Sequence, residues 1–331
     1  MPKTKFSSRD HLLALHQRMV GGLVAAYVAI DSALSQSLSP AQFVTAYTRI
    51  IDRRTKKIHA YSFAEHPFLI AIANEQHPRQ VIIKPSQKGV STVLLRREIY
   101  GLISRPGSSM IYTIPNHEEL SRFVSVHAET MIRYSPILRS HFIGDRDSTV
   151  QKSFKVGDAI SFLHFQGRST ETSVRMIPAD SVVIDEAVLG IPKLARELTS
   201  RVDHSPYQRG PYKGRVTSVS TPLFPNSPIS LDYEASDQRT FQIRCPACLT
   251  WQEILYPQSI HPFWDSGEDP LSMNPEYRCT HGGCHKTLKP REIIEFDAKT
   301  LHVKNAEWVA AYPSRTEWDE GMRGYQIPFF L

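Results

Sequence analysis

Between about residues 60 and 225, short apolar runs rich in β-branched residues alternate with longer amphipathic stretches. Residues 81–84 read as a buried strand, followed by a polar loop and a helical segment over 90–104. Residues 108–115 read as the next strand and 117–134 as the next helix. Further strands are expected at 159–165, 181–187 and 215–222, with a helix over 192–202. Such alternation predicts an α/β fold with a mostly parallel sheet flanked by helices on both faces. Ligands in these folds bind beyond the carboxyl ends of the strands, so the loops after 81–84 and 181–184 are where a site is expected.

On either side the pattern differs. Residues 1–58 are rich in alanine and leucine and read as an N-terminal helical arm, with Ser39-Pro40 placed to open a second helix. From 239 to 290 the periodicity gives way to prolines, aromatics and cysteines. The domain division that follows is 1–58 arm, 59–238 core, 239–290 insertion and 291–331 return segment.

Composition narrows the class. With 41% hydrophobic and 22% charged residues among 331, the chain can bury a core, which excludes wholesale disorder. No apolar run approaches the roughly 20 residues of a membrane span. The start of the chain carries no secretory signature, so a cytoplasmic protein is expected. A net charge of +6 suits a polyanionic partner.

The polar loop is Lys84-Pro85-Ser86-Gln87-Lys88-Gly89-Val90-Ser91-Thr92. Laid on the phosphate-loop pattern GxxxxGK[ST], Gly89 and Ser91 fit, but Val90 fills the lysine slot and Lys84 the first-glycine slot. Phosphate binding needs backbone N–H groups, a helix N-terminus, one ammonium and a hydroxyl for Mg²⁺. Lys84 is the expected ammonium, with Lys88 in reserve. The strand over 181–187 ends in Asp185 and Glu186. Asp185 is expected to hold Mg²⁺ together with Ser91, and Glu186 to polarise the attacking water. Ser220, Thr221 and Pro222 close the next strand, where small hydroxyl residues could sense the γ-phosphate. By itself, a strand end turned by proline explains them better.

The four cysteines form two close pairs, Cys245/Cys248 and Cys279/Cys284. In a chain without a secretion signal, that clustering predicts a closed, structural Zn²⁺ site. His281 and His285 flank the second pair, so a histidine could replace one cysteine.

Taken in order, these pieces resemble the large terminase subunit of tailed phages, in its lambda-type branch. The likeness runs from His66 to Phe330. It is carried by HPFLIAI, VIIKPSQKGVST, RPGSSMIYTIPNHEELSRF, SPILRSHF, GRSTETSVRMIPADSVVIDEA, STP, CPACLTWQEI, YRCTHGGCHKTLKPREI, AEWVA and GYQIPFF. The resemblance implies a P-loop ATPase of the additional-strand, catalytic-glutamate type that translocates double-stranded viral DNA into a procapsid through the portal. It implies that Lys84, Gln87, Gly89, Ser91 and Thr92 bind the phosphates of ATP, with Asp185 at Mg²⁺ and Glu186 catalytic. Ser220, Thr221 and Pro222 match the family's coupling motif. Arg175 matches an arginine placed near the nucleotide, with Arg122, Arg133 and Arg139 as candidates to act from a neighbouring subunit. Partners implied are double-stranded DNA, the portal and procapsid, a small terminase subunit and further copies in a ring, acting in the host cytoplasm at the portal vertex. The family's usual nuclease would begin where this sequence stops, at Leu331, so no DNA cleavage is expected from these residues and a nuclease domain or subunit is an expected partner. Two other readings stay open on the residues: a helicase-like nucleic-acid motor, and a zinc-ribbon DNA-binding or scaffold protein with an inactive loop.

Overall fold

The strand Ser181–Asp185 has no exposed face because its side chains alternate between two buried layers. Val183 packs into one hydrophobic cluster, while Val182 and Ile184 pack into another. A strand buried on both sides belongs in the interior of a covered sheet. That is its place in the computed structural model, which describes residues 37–52, 55–144, 150–169, 177–189, 191–254, 259–261 and 276–328.

The sheet has ten strands. In chain order they are β1 (Arg79–Ile83), β2 (Ser109–Ile114), β3 (Gln151–Val156), β4 (Ala159–Gly167), β5 (Ser181–Asp185) and β6 (Arg215–Ser220). The rest are β7 (Arg239–Arg244), β8 (Trp251–Glu253), β9 (Ala306–Ala310) and β10 (Arg323–Gln326). Across the sheet the order is β8-β7-β10-β1-β6-β5-β2-β4-β3, with β9 also paired to β7. The run from β7 to β4 is parallel throughout, and β3, β8 and β9 join it antiparallel. β6 lies between β1 and β5, with Val219 opposite Ile82 on one side and Asp185 on the other. This inserted strand is the defining feature of the additional-strand class expected from the sequence.

Helices cover both faces. On one, α3 (Val90–Ser104) buries Val93, Leu94, Ile99 and Leu102 in the same cluster as Ile82, Tyr112 and Val183. α1 (Pro40–Tyr47) and α2 (Leu69–Asn74) pack on α3. On the other face, α5 (Pro192–Thr199) sets Leu194 and Leu198 against Val182, Ile184 and Val216, while α6 (Pro228–Ala235) sets Ile229 and Tyr233 against Val81. Each fully buried aliphatic side chain contributes about 1.5–3 kcal/mol. The helix behind the phosphate loop is therefore seated by its own apolar face, independently of any ligand.

The expected strands and the helix over 90–104 all appear close to their expected bounds. Ser39 caps α1 with a capping box to Gln42. The arm is not helical throughout, however. Arg49–Ile51 pairs antiparallel with Ile58–Ala60, because the extended, β-branched Thr48 ends α1 and bonds its hydroxyl to the Val44 carbonyl at 2.7 Å. Residues before 37 lie outside the described part. The helix expected over 117–134 is α4 (His117–Phe123) continued through a π-helical stretch at Val124–Glu129 and a last α turn at Thr130–Tyr134. β7 belongs to the sheet, with Phe241 and Ile243 in the core, so the sheet reaches into the segment assigned to the insertion.

Candidate active site

The loop after β1 is pinned at its start from both neighbours. Ile327 donates its N–H to the Ile83 carbonyl at 2.8 Å, and Lys84 donates its own to the Ser220 carbonyl at 3.0 Å. The loop then turns with φ of 63° at Gln87 and 75° at Gly89 and runs directly into α3. A Cβ at Gly89 would meet Leu69 Cδ1 at 3.4 Å in a backbone conformation that side chains disfavour, so glycine is favoured there. A tight loop entering a helix N-terminus presents backbone N–H groups to an anion.

Val90, in the usual lysine slot, is 2% exposed and belongs to the hydrophobic core. It has only its backbone to offer a ligand. The charge comes instead from Lys84. Its Nζ lies 2.8 Å from Ser91 Oγ, 2.9 Å from Asp185 Oδ1 and 2.9 Å from Glu186 Oε1. Burial alone would lower the Lys84 ammonium, but the Asp185 and Glu186 carboxylates outweigh it and hold the group above its ordinary value. Lys84 is therefore charged at neutral pH. The oxygens of Ser91, Asp185 and Glu186 converge on one cation, and hard oxygen donors of this kind suit Mg²⁺. Lys88 is half-buried, and burial with the nearby Arg291 charge lowers its ammonium. Gln87 is exposed and Thr92 half-buried.

Glu186 has a φ of 50°, in the left-handed region that a residue of its kind seldom occupies. Its second oxygen, Oε2, accepts from the Ser220 hydroxyl at 3.3 Å. Ser220 is thus the expected coupling residue that meets the carboxylate. Thr221 is half-buried, and Pro222 is exposed.

Two site residues escaped the sequence reading. Arg168, at the end of β4 and fully buried, donates to the carbonyls of Asp185 and Glu186 at 2.8 Å each and of Leu189 at 3.1 Å. It also donates to Thr113 Oγ1 at 2.6 Å. Burial lowers its guanidinium to about 10, which leaves it charged at neutral pH. It holds the strained turn at Glu186 from behind through carbonyl oxygens, which no side-chain pattern announces. Tyr112, in β2, is the other; its hydroxyl lies 2.7 Å from Asp185 Oδ2. The expected Arg175 lies outside the described residues. Arg122, Arg133 and Arg139 are exposed on the helical region over 117–141.

The cysteines meet as expected. Cys245 and Cys284 Sγ are 3.9 Å apart, Cys248 and Cys279 Sγ 3.6 Å, and all four lie within 4.8 Å of one another. Sulfurs bound tetrahedrally to zinc at about 2.3 Å stand about 3.8 Å apart, so the spacing fits that ion. Gln252 Nε2 reaches Cys279 Sγ at 3.0 Å, an outer-shell contact of the kind that orients metal ligands. His281 and His285 are exposed and outside the four-sulfur group.

A phosphate loop, an inserted strand and an acidic pair at the next strand end define an ATPase of the P-loop, catalytic-glutamate class. The family model described as phage terminase large subunit gpA, ATPase domain, matches residues 58–308. The chain belongs to this family. Solved structures similar to it are distant. The Thermus phage P74-26 large terminase ATPase domain is 16% identical over 50% of this chain and 68% of that one, with a TM-score of 0.41. The HK97 bacteriophage large terminase is 11% identical over 59% of this chain and 40% of that one, with a TM-score of 0.43. The large terminase of another thermophilic bacteriophage is 11% identical over 53% of this chain and 43% of that one, with a TM-score of 0.41. The match thus spans under half the length of these last two proteins. No curated protein matches the sequence. No described helix is long and apolar enough to cross a membrane.

Proposed function

We propose that this chain hydrolyses ATP between the loop 84–92, the Asp185-Glu186 turn and Ser220, and uses that reaction to drive double-stranded DNA through a portal into a procapsid. The observation that carries the reading is the convergence of Lys84, Ser91, Asp185 and Glu186 within hydrogen-bonding distance. Backbone N–H groups of the loop and the Lys84 ammonium bind the phosphates. Ser91 Oγ and Asp185 would hold Mg²⁺, which would supply charge neutralisation at the phosphates. Glu186 turns from Lys84 toward the attacking water and accepts its proton. Loss of the γ-phosphate alters the Glu186–Ser220 contact, and Ser220, Thr221 and Pro222 carry the change into the loop after β6. An arginine, Arg175 in the same chain or one of Arg122, Arg133 and Arg139 from a neighbour in a ring, stabilises charge on the transferring group.

The small terminase subunit, the portal and a nuclease domain or subunit are the partners this role requires, in host cytoplasm at the portal vertex. Val90 was the best sign of an inactive loop. Its burial, with Lys84 facing the carboxylates, favours an active one.

Steady-state ATP turnover with and without double-stranded DNA tests the reading. Turnover is expected to rise with DNA, and the stimulation to weaken with added salt, as backbone-phosphate contacts do. Failure to bind ATP would overturn the hydrolase reading. Turnover indifferent to DNA would overturn its coupling to packaging.

The insertion is proposed to be stapled by Zn²⁺ on Cys245, Cys248, Cys279 and Cys284. Purified protein is expected to carry about one zinc per chain, lost in Cys245→Ser. Metal analysis finding far less zinc in the wild type would defeat this assignment.

A further inference from the structure

We propose that Tyr112 is a positioning residue for the magnesium site, orienting Asp185 to receive the cation; this rests on the ATP-Mg²⁺ reading above. Tyr112 sits in β2 beside β5, opposite Val183. Its hydroxyl is 2.7 Å from Asp185 Oδ2 and 3.1 Å from the carbonyl oxygen of Ser91, in the first turn of α3. The other carboxylate oxygen, Asp185 Oδ1, is the one that faces Lys84 Nζ at 2.9 Å. The two oxygens therefore have separate tasks. Oδ2 is tethered to the interior, and Oδ1 accepts from Lys84 Nζ and from the Glu186 N–H at 3.0 Å, on the side where Lys84 also meets Ser91.

A phenol has one proton for these two acceptors. The bond to a carboxylate is shorter and stronger than one to a neutral carbonyl, so the proton goes to Asp185. Tyr112 is fully buried, which leaves the side of the carboxylate it occupies without water to replace it. The ring is itself held in place: Phe123 stacks on it at 5.1 Å and 19°, and Phe165 lies at 6.3 Å. Phe123 is the last residue of α4, immediately before the π-helical stretch. The orientation of the magnesium carboxylate is thus set by a packed aromatic pair as well as by a hydrogen bond.

The test is Tyr112→Phe, which removes the hydroxyl and keeps the ring. Binding of a fluorescent ADP analogue is titrated with MgCl₂, and ATP turnover is followed over the same range. The Mg²⁺ concentration at half effect is expected to rise about tenfold, the scale of a lost hydrogen bond to a charged group. Nucleotide affinity without Mg²⁺ is expected to stay within about threefold, and saturating Mg²⁺ to restore turnover. In an Asp185→Asn background, Tyr112→Phe is expected to move the Mg²⁺ dependence no further. A normal Mg²⁺ half-point in Tyr112→Phe overturns the proposal, and so does a shift that persists in Asp185→Asn. Should that variant fold poorly, Phe123→Leu loosens the ring but keeps the hydroxyl. It is expected to shift the half-point the same way by a smaller factor, and no shift counts against the proposal. If the wild type binds no nucleotide, the ATP reading falls and this inference with it. If the wild type binds with Mg²⁺ dependence and Tyr112→Phe matches it, only the role of Tyr112 falls.

Discussion

Replacing Glu186 with glutamine is expected to lower ATP turnover by about 10²–10⁴-fold while nucleotide binding survives. The substitution keeps the side chain's size, and its amide oxygen can still accept from Ser220, now 3.3 Å from Oε2. It removes the charge that would orient and deprotonate water. The amide nitrogen then takes the place of Oε1 and cannot accept from Lys84, so that bond is lost, but Lys84 keeps Asp185 at 2.9 Å and the phosphate loop should hold its shape. Single-turnover hydrolysis beside equilibrium nucleotide binding separates the two effects. A variant that retains a tenth or more of wild-type turnover would remove Glu186 from the chemical step.

Lys84→Ala is expected to act on binding. Truncating one member of a buried, hydrogen-bonded charge cluster costs about 2–5 kcal/mol, or roughly 30- to several-thousand-fold in nucleotide affinity. The folded protein suffers as well, since Asp185, 3% exposed, and Glu186 are left facing each other without a cation. Thermal unfolding should therefore show the variant less stable than wild type, with Mg²⁺ returning part of the loss by taking the vacated position. Lys88→Ala is the control: ATP affinity falling there but not in Lys84→Ala would reassign the ammonium to the reserve lysine.

The two variants touch the parts of the site that the sequence made legible. Val81-Ile82-Ile83 and Val182-Val183-Ile184 are unbroken apolar runs ending in charged residues, the pattern of buried parallel strands. Such runs fix both strand positions and the ends where ligands gather. Less visible were the elements whose burial is half or borrowed. β3 alternates Lys152 and Phe154 with polar partners, and Lys152 is buried because it reaches Glu129 at 2.9 Å. β10 contains glycine, arginine and glutamine, and is held by pairing with β1 and β7 and by Tyr325 in the core. Arg168 and Tyr112 were hidden for another reason. Each acts on the site through an atom that sequence does not advertise, a backbone carbonyl in one case and the far oxygen of a carboxylate in the other. The cysteine pairs were the opposite case: their spacing alone foretold the four-sulfur cluster.

The position of β10 bears on how the protein is made. β1, which leads into the phosphate loop, has β6 on one side and β10 on the other. On a ribosome the loop emerges early, but residues 323–326 follow it by well over two hundred residues. Until those residues are made β1 therefore has an open hydrogen-bonding edge, and its own Val81 and Ile82 belong in the core. Such edges invite pairing with other chains, and contacts so distant in sequence form slowly. The loop at the end of β1 is thus framed on both sides only once residues 323–326 have been made.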